Sequence, residues 1–141
     1  MSDHDALIDG LNEDLAAEYQ AVIMYRTYAS LVTGPYRQEL RAFFESEIPD
    51  ELEHAAFLAD KIVALGGDPT TDVPAVPEAR DNRQMLENAL EAEVETIERY
   101  TRRLDQADAA GEISVKVRLE DLIVDESRHR DDIRRMLKGW D

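Results

Sequence analysis

Apolar residues recur every three or four positions through four stretches of the chain, a spacing that predicts four helices. The first runs from near Asp3 to about Leu31 on Leu7, Leu11, Leu15, Val22, Tyr25, Ala29 and Val32. Thr33-Gly34-Pro35 stops it. The second runs from about Tyr36 to Leu65 on Leu40, Phe44, Ala55, Leu58, Ile62 and Leu65. It ends at Gly66-Gly67-Asp68-Pro69, where glycine tolerates a left-handed turn and proline blocks continuation. Asp81 offers an N-cap for the third helix, and Gln84 three residues on completes a capping-box pattern. Its stripe is Leu86, Leu90, Ile97, Tyr100 and Leu104. Ala110-Gly111 then breaks the chain before a fourth stripe of Val115, Leu119, Leu122, Ile133 and Leu137.

The connections decide the topology. Short breaks at 33–35 and 109–111 require antiparallel pairs. Residues 67–80, rich in Pro, Thr and Asp, can stretch about 46 Å at roughly 3.3 Å per residue. A helix of about 26 residues is about 39 Å long, so this connection can run the length of a bundle and make the third helix parallel to the second. The expected fold is all-α: a single domain, 1–141, forming a four-helix bundle with one long crossover between helices 2 and 3. Pro49 is the misfit, since proline inside a helix costs about 3 kcal/mol. A kinked but continuous second helix is expected there, with a fresh helix start at Pro49 as the alternative.

Each stripe is interrupted, and the interruptions share a chemistry. Glu18, Glu51 with His54, Glu93, and Glu126 with His129 fill the gaps. Glu18, Tyr25, Glu51 and His54 recur as Glu93, Tyr100, Glu126 and His129, all displaced by 75 positions. Glutamates are almost never fully buried unless paired. Four ionised carboxylates gathered in a core would protonate instead, unless cations neutralised them. Two divalent ions supply four positive charges, and each histidine, one turn after a glutamate on the same helix face, supplies one nitrogen. One Glu from each of two helices plus Glu-x-x-His from each of the other two is a known bundle-core arrangement for paired iron or manganese. Glu18, Glu51, His54, Glu93, Glu126 and His129 are therefore the candidate ligands. Glu47, one turn before Glu51, is a candidate auxiliary ligand. Asp50, Glu53, Glu98 and Asp125 are expected around the ligands or in solvent, and His4, outside the repeat, on the surface. Tyr25 and Tyr100 are candidate catalytic residues: oxidisable donors beside the metals, or packed rings whose hydroxyls fix ligand carboxylates.

Composition narrows the partners. A formal net charge of −16 argues against nucleic acid, whose phosphates would be repelled. No apolar run approaches the roughly 20 residues of a membrane span. The acidic start, Met1-Ser2-Asp3-His4-Asp5, does not look like a signal peptide, so the expected location is cytoplasmic. Without cysteine the chain forms no disulfide and holds no thiolate-bound iron–sulfur centre.

Residues 7 to 137 resemble the bacterioferritin and rubrerythrin branch of the ferritin-like superfamily. The resemblance is carried by Leu11-Asn12-Glu13 through Tyr25, by Glu51-Leu52-Glu53-His54-Ala55, by Leu65-Gly66-Gly67-Asp68-Pro69 and by Asp125-Glu126-Ser127-Arg128-His129. It implies a di-iron carboxylate centre that oxidises ferrous iron with dioxygen or hydrogen peroxide, with Glu51 and Glu126 bridging, Glu18 and Glu93 terminal, and one histidine on each ion. Leu52 stands where bacterioferritins carry a haem-ligating methionine, so no haem is expected. A homodimer is expected rather than a storage cage. Three alternatives remain: a di-manganese catalase-like site, a rubrerythrin-like peroxidase needing an external electron donor, and a non-enzymatic iron-binding module.

Overall fold

The computed structural model describes residues 1–140. Four helices follow one another: α1 (Asp3–Leu31), α2 (Arg37–Ala64), α3 (Asn82–Ala109) and α4 (Ile113–Leu137). The Ser2 hydroxyl caps α1 by accepting from Asp5 N at 3.0 Å, and the Asp5 carboxylate accepts from Ser2 N at 3.4 Å. At α3 the expected capping box forms only by half. Asp81 accepts from Gln84 N at 2.8 Å, but the Gln84 side chain accepts from Arg80 N, one residue ahead of the cap. Gly34, Gly66 and Gly111 close the helix-ending turns at φ of 85°, 95° and 73°. Through Pro49 α2 is continuous, and the proline lies on its exposed side.

α1 packs on α2 and on α3, α4 packs on α3 and more lightly on α2, and the pairs α1–α4 and α2–α3 lie on the diagonals. The crossover from α2 to α3 is a strap along α1. Asn12 Nδ2 donates to Asp68 O and Asn12 Oδ1 accepts from Thr70 N, Gln20 Nε2 donates to Ala75 O, and the Tyr28 hydroxyl donates to Pro77 O. These three anchors stand eight residues apart, just over two helical turns, so they form one row on α1. The strap leaves α2 beside Asn12 and enters α3 beside Thr33, where Asn82 bonds the Thr33 amide and carbonyl. α3 is therefore antiparallel to α1 and parallel to α2, as the length of the connection predicts.

The core is two apolar layers with a polar layer between them. Leu7, Leu11, Leu15, Leu58, Ile62, Val115 and Leu119 belong to one layer, and Met24, Tyr28, Phe44, Leu86, Ala89 and Ile133 to the other. Between them the chain places Glu18 on α1, Glu51 and His54 on α2, Glu93 on α3, and Glu126 and His129 on α4, all buried. Each well-buried aliphatic side chain contributes about 1.5–3 kcal/mol, and the two layers together hold the charged layer in place. The α3 stripe differs from expectation. Leu90, Ile97 and Leu104 are only half-buried, while Met85, Ala89, Arg103 and Ala107 face inward. The helix is turned so that Ala89 and Ala107 lie inside, which permits close approach.

Candidate metal centre

Burial sets the problem in the middle layer. Glu18, Glu51, Glu93 and Glu126 are each no more than 2% exposed, Glu47 is 5% exposed, and none reaches a lysine or arginine among the described residues. Two groups of ligand atoms converge: Glu18, Glu51, His54 and Glu126 in one, and Glu47, Glu51, Glu93 and His129 in the other, the atoms of each within 4.8 Å of one another. The six residues sharing the 75-residue register are thus brought together, with Glu51 common to both groups. Glu126 also reaches the second group, its Oε2 lying 3.8 Å from His129 Nδ1. His4 sits apart, on the surface, against Glu112.

Inward-facing atoms lack ordinary partners. His54 Nδ1 lies 3.0 Å from Glu126 Oε1 and 3.6 Å from Glu18 Oε1. His129 Nδ1 lies 2.7 Å from Glu47 Oε2 and 3.4 Å from Glu51 Oε1. Yet both nitrogens, and one oxygen each of Glu18, Glu47, Glu51, Glu93 and Glu126, make no hydrogen bond. Buried donors and acceptors are normally satisfied. Here they aim at common points instead of at each other, as ligand atoms do around a cation. Carboxylate oxygens with one imidazole nitrogen per point form a donor set suited to a divalent transition ion.

Electrostatics point the same way. Burial, then the charges of Glu18 and Glu126, holds Glu51 well above the usual carboxylate range, and burial, then Glu126, does so for Glu93. Burial alone would raise Glu126, but Glu93 and the two histidines hold it below that range. Burial alone would lower His54, but the Glu126 and Glu18 carboxylates push it up to about 11. His129 is raised likewise, against burial, by Glu126, Glu47, Glu51 and Glu93. Without a metal the layer is held by protons, and cations must displace them.

The next ring of contacts is crossed between the halves. The Tyr25 hydroxyl donates to Glu93, and the Tyr100 hydroxyl donates to Glu18. Burial, then the neighbouring glutamates, raises both phenols, so they stay protonated donors. His54 Nε2 lies 3.0 Å from Asp125 Oδ2, and His129 Nε2 lies 3.0 Å from Asp50 Oδ2. With each Nε2–H directed at an aspartate, Nδ1 is the nitrogen left to face the layer. Asp50 and Asp125 also stand 75 positions apart, the signal that separates them from Glu53 and Glu98, which are exposed. Replacing Asp125 by alanine is expected to weaken cation binding in the His54 half about 10- to 100-fold. Calorimetric titration reads it, and unchanged affinity would refute the role.

A cavity of about 130 Å³ opens between α1 and α3 beside the strap. Ala17, Ala21, Ala92 and Thr96 leave the space, Glu91, Glu95 and Arg99 border it, and Glu51, Glu93 and Glu126 are among its walls.

The model of the ferritin-like domain matches residues 8–141. The bacterioferritin of Streptomyces coelicolor is 30% identical over 126 residues, 89% of this chain and 75% of that protein. Bacterioferritin BfrA of Mycobacterium tuberculosis is 26% identical over 132 residues, covering 93% and 83%. Among solved structures, one described as ferritin-like, diiron-carboxylate proteins from Bacillus anthracis superposes with a TM-score of 0.95. It is 52% identical and covers 97% of this chain and 99% of that one. The M. tuberculosis BfrA structure gives 0.86 at 24% identity, over 94% and 84%, a likeness of fold.

Proposed function

The chain belongs to the ferritin-like family, and from that premise we propose that it is a di-iron carboxylate oxidoreductase that oxidises ferrous iron with dioxygen or hydrogen peroxide. The observation carrying this reading is the set of buried, unpartnered carboxylate and imidazole atoms converging on two points. On this reading Glu18, Glu51, His54, Glu93, Glu126 and His129 would hold the metals. Two iron ions bound there would supply one electron each to a single oxidant molecule.

The chain's own residues do the rest. Tyr25 and Tyr100 donate hydrogen bonds to the terminal carboxylates Glu93 and Glu18 and so limit how far these swing. Asp50 and Asp125 keep the imidazoles facing inward. The apolar layers keep bulk water away on both sides along the bundle axis. The cavity between α1 and α3 is large enough to admit molecules the size of dioxygen or peroxide. Its acidic border, Glu91 and Glu95, favours approach of ferrous ion. No helix among the described residues is long and apolar enough to cross a membrane. The same reading carries a homodimer in the cytoplasm.

Mixing metal-free protein with ferrous iron in aerated buffer tests the proposal. Oxygen consumption and near-ultraviolet ferric absorbance should rise together, far faster than in protein-free buffer. No protein-dependent oxygen or peroxide consumption would refute it. The Tyr25→Phe and Tyr100→Phe variants separate the tyrosine roles: unchanged oxidation kinetics would dismiss them as electron donors.

A further inference from the structure

The two halves of the layer are not equal. Every candidate ligand in the repeat has a partner 75 positions away, but the position matching Glu47 is Leu122, a buried member of an apolar layer. Glu47 is itself 5% exposed, with Oε2 2.7 Å from His129 Nδ1 and without a hydrogen bond. Its ligand atom falls in one group with those of Glu51, Glu93 and His129. No lysine or arginine among the described residues pairs with it. A carboxylate this deep needs a positive partner, and among the described residues the only cationic side chain in reach is the imidazole whose Nδ1 faces the same point.

We propose that Glu47 is a direct ligand of the ion held by His129, which makes that subsite richer by one carboxylate than the subsite of His54. This rests on the dinuclear reading above and deepens it. With Glu51 in both groups and Glu126 reaching across, its Oε2 3.8 Å from His129 Nδ1, the His54 half adds Glu18 alone, whereas the His129 half adds Glu93 and Glu47. Five carboxylates exceed the charge of two divalent ions by one, and the excess lies in the His129 half. That half fills first and holds its ion more tightly.

Anaerobic titration of the metal-free full chain with cobalt(II), followed by calorimetry and visible absorption, tests it. The wild type should take up two ions in separable steps. Glu47→Gln should still take up two ions, with the tighter step weakened about tenfold or more, while Glu18→Gln weakens the other. In cobalt-loaded crystals a Glu47 oxygen should lie about 2.0–2.2 Å from the ion on His129. Two ions in the wild type with unchanged steps in Glu47→Gln, or a Glu47 carboxylate turned away from the ion, overturns the Glu47 assignment alone. Failure of the wild type to bind a pair of ions overturns the dinuclear reading with it.

Discussion

Replacing Glu51 by leucine should abolish uptake of the metal pair and yet raise the melting temperature of the metal-free protein. Among the described residues Glu51 alone is present in both converging groups, so its loss removes a candidate ligand from each. Without metal it is a burden, because burial and then the Glu18 and Glu126 charges hold its carboxyl well above the usual range. Replacing a buried ionic group together with its partner by apolar side chains of similar volume is often neutral or stabilising by about 1–4 kcal/mol. Glu51, its carboxyl held toward the neutral form, is a surplus group rather than half of a pair. His129 keeps Glu47, Glu93 and Glu126 as neighbours, so no charge is stranded. For a chain of this size each kcal/mol moves the midpoint by about 2–4 °C. The wild type should in turn gain about 4 kcal/mol from metal at a thousandfold excess over the dissociation constant, and Glu51→Leu nothing. Scanning calorimetry with and without cobalt(II), with elemental analysis, measures both effects. Two ions retained by the variant would contradict the placement of Glu51, and a lower metal-free melting point would contradict the electrostatic argument.

That trade between stability and a charged core explains what the sequence discloses. A glutamate interrupting an apolar stripe is conspicuous because periodicity assigns it to the interior, and the 75-residue register repeats the anomaly at three pairs of positions. The helix breaks and the crossover follow from local chemistry, so they too can be read. Phase is harder. The α3 stripe marks a face to within a residue or so, and the register that turns Ala89, Arg103 and Ala107 inward depends on what α1 presents opposite. Arg103 has no apolar periodicity to place it inside, and its partner Asp14 lies across the interface on α1. Glu47 is legible as a candidate auxiliary ligand because it stands one turn before Glu51 on the same face, but glutamates on helix surfaces are common and its burial is visible only in the structure. Pro49 stands on the exposed side of α2, and the helix runs on through it.

The Asp14–Arg103 pair should show the largest stability effect outside the centre. Arg103 Nε donates to Asp14 Oδ2 at 2.8 Å and its Nη2 to Oδ1 at 3.0 Å, a two-pronged bond between α1 and α3 with side chains 0% and 5% exposed. Gly10 makes room for it: a Cβ there would stand 2.2 Å from Arg103 Nη1. Burial nevertheless raises the Asp14 carboxyl despite the opposing pull of Arg103, so the pair does not recover the full cost of desolvation. Breaking a buried pair from one side costs about 3–5 kcal/mol, whereas replacing both members by apolar groups is often neutral. Asp14→Leu alone should therefore lower stability by about that amount, leaving Arg103 with Gln106 and the exposed Glu13 at 3.9 Å. Arg103→Met should cost less, because Arg99 already stands 3.8 Å from Asp14 and can approach it. The double variant should return to within about 1 kcal/mol of the wild type and still bind the metal pair, since Tyr100 and Glu18 keep their bond. Urea unfolding of the four proteins measures the coupling, and simple addition of the two single losses would contradict this account of the pair.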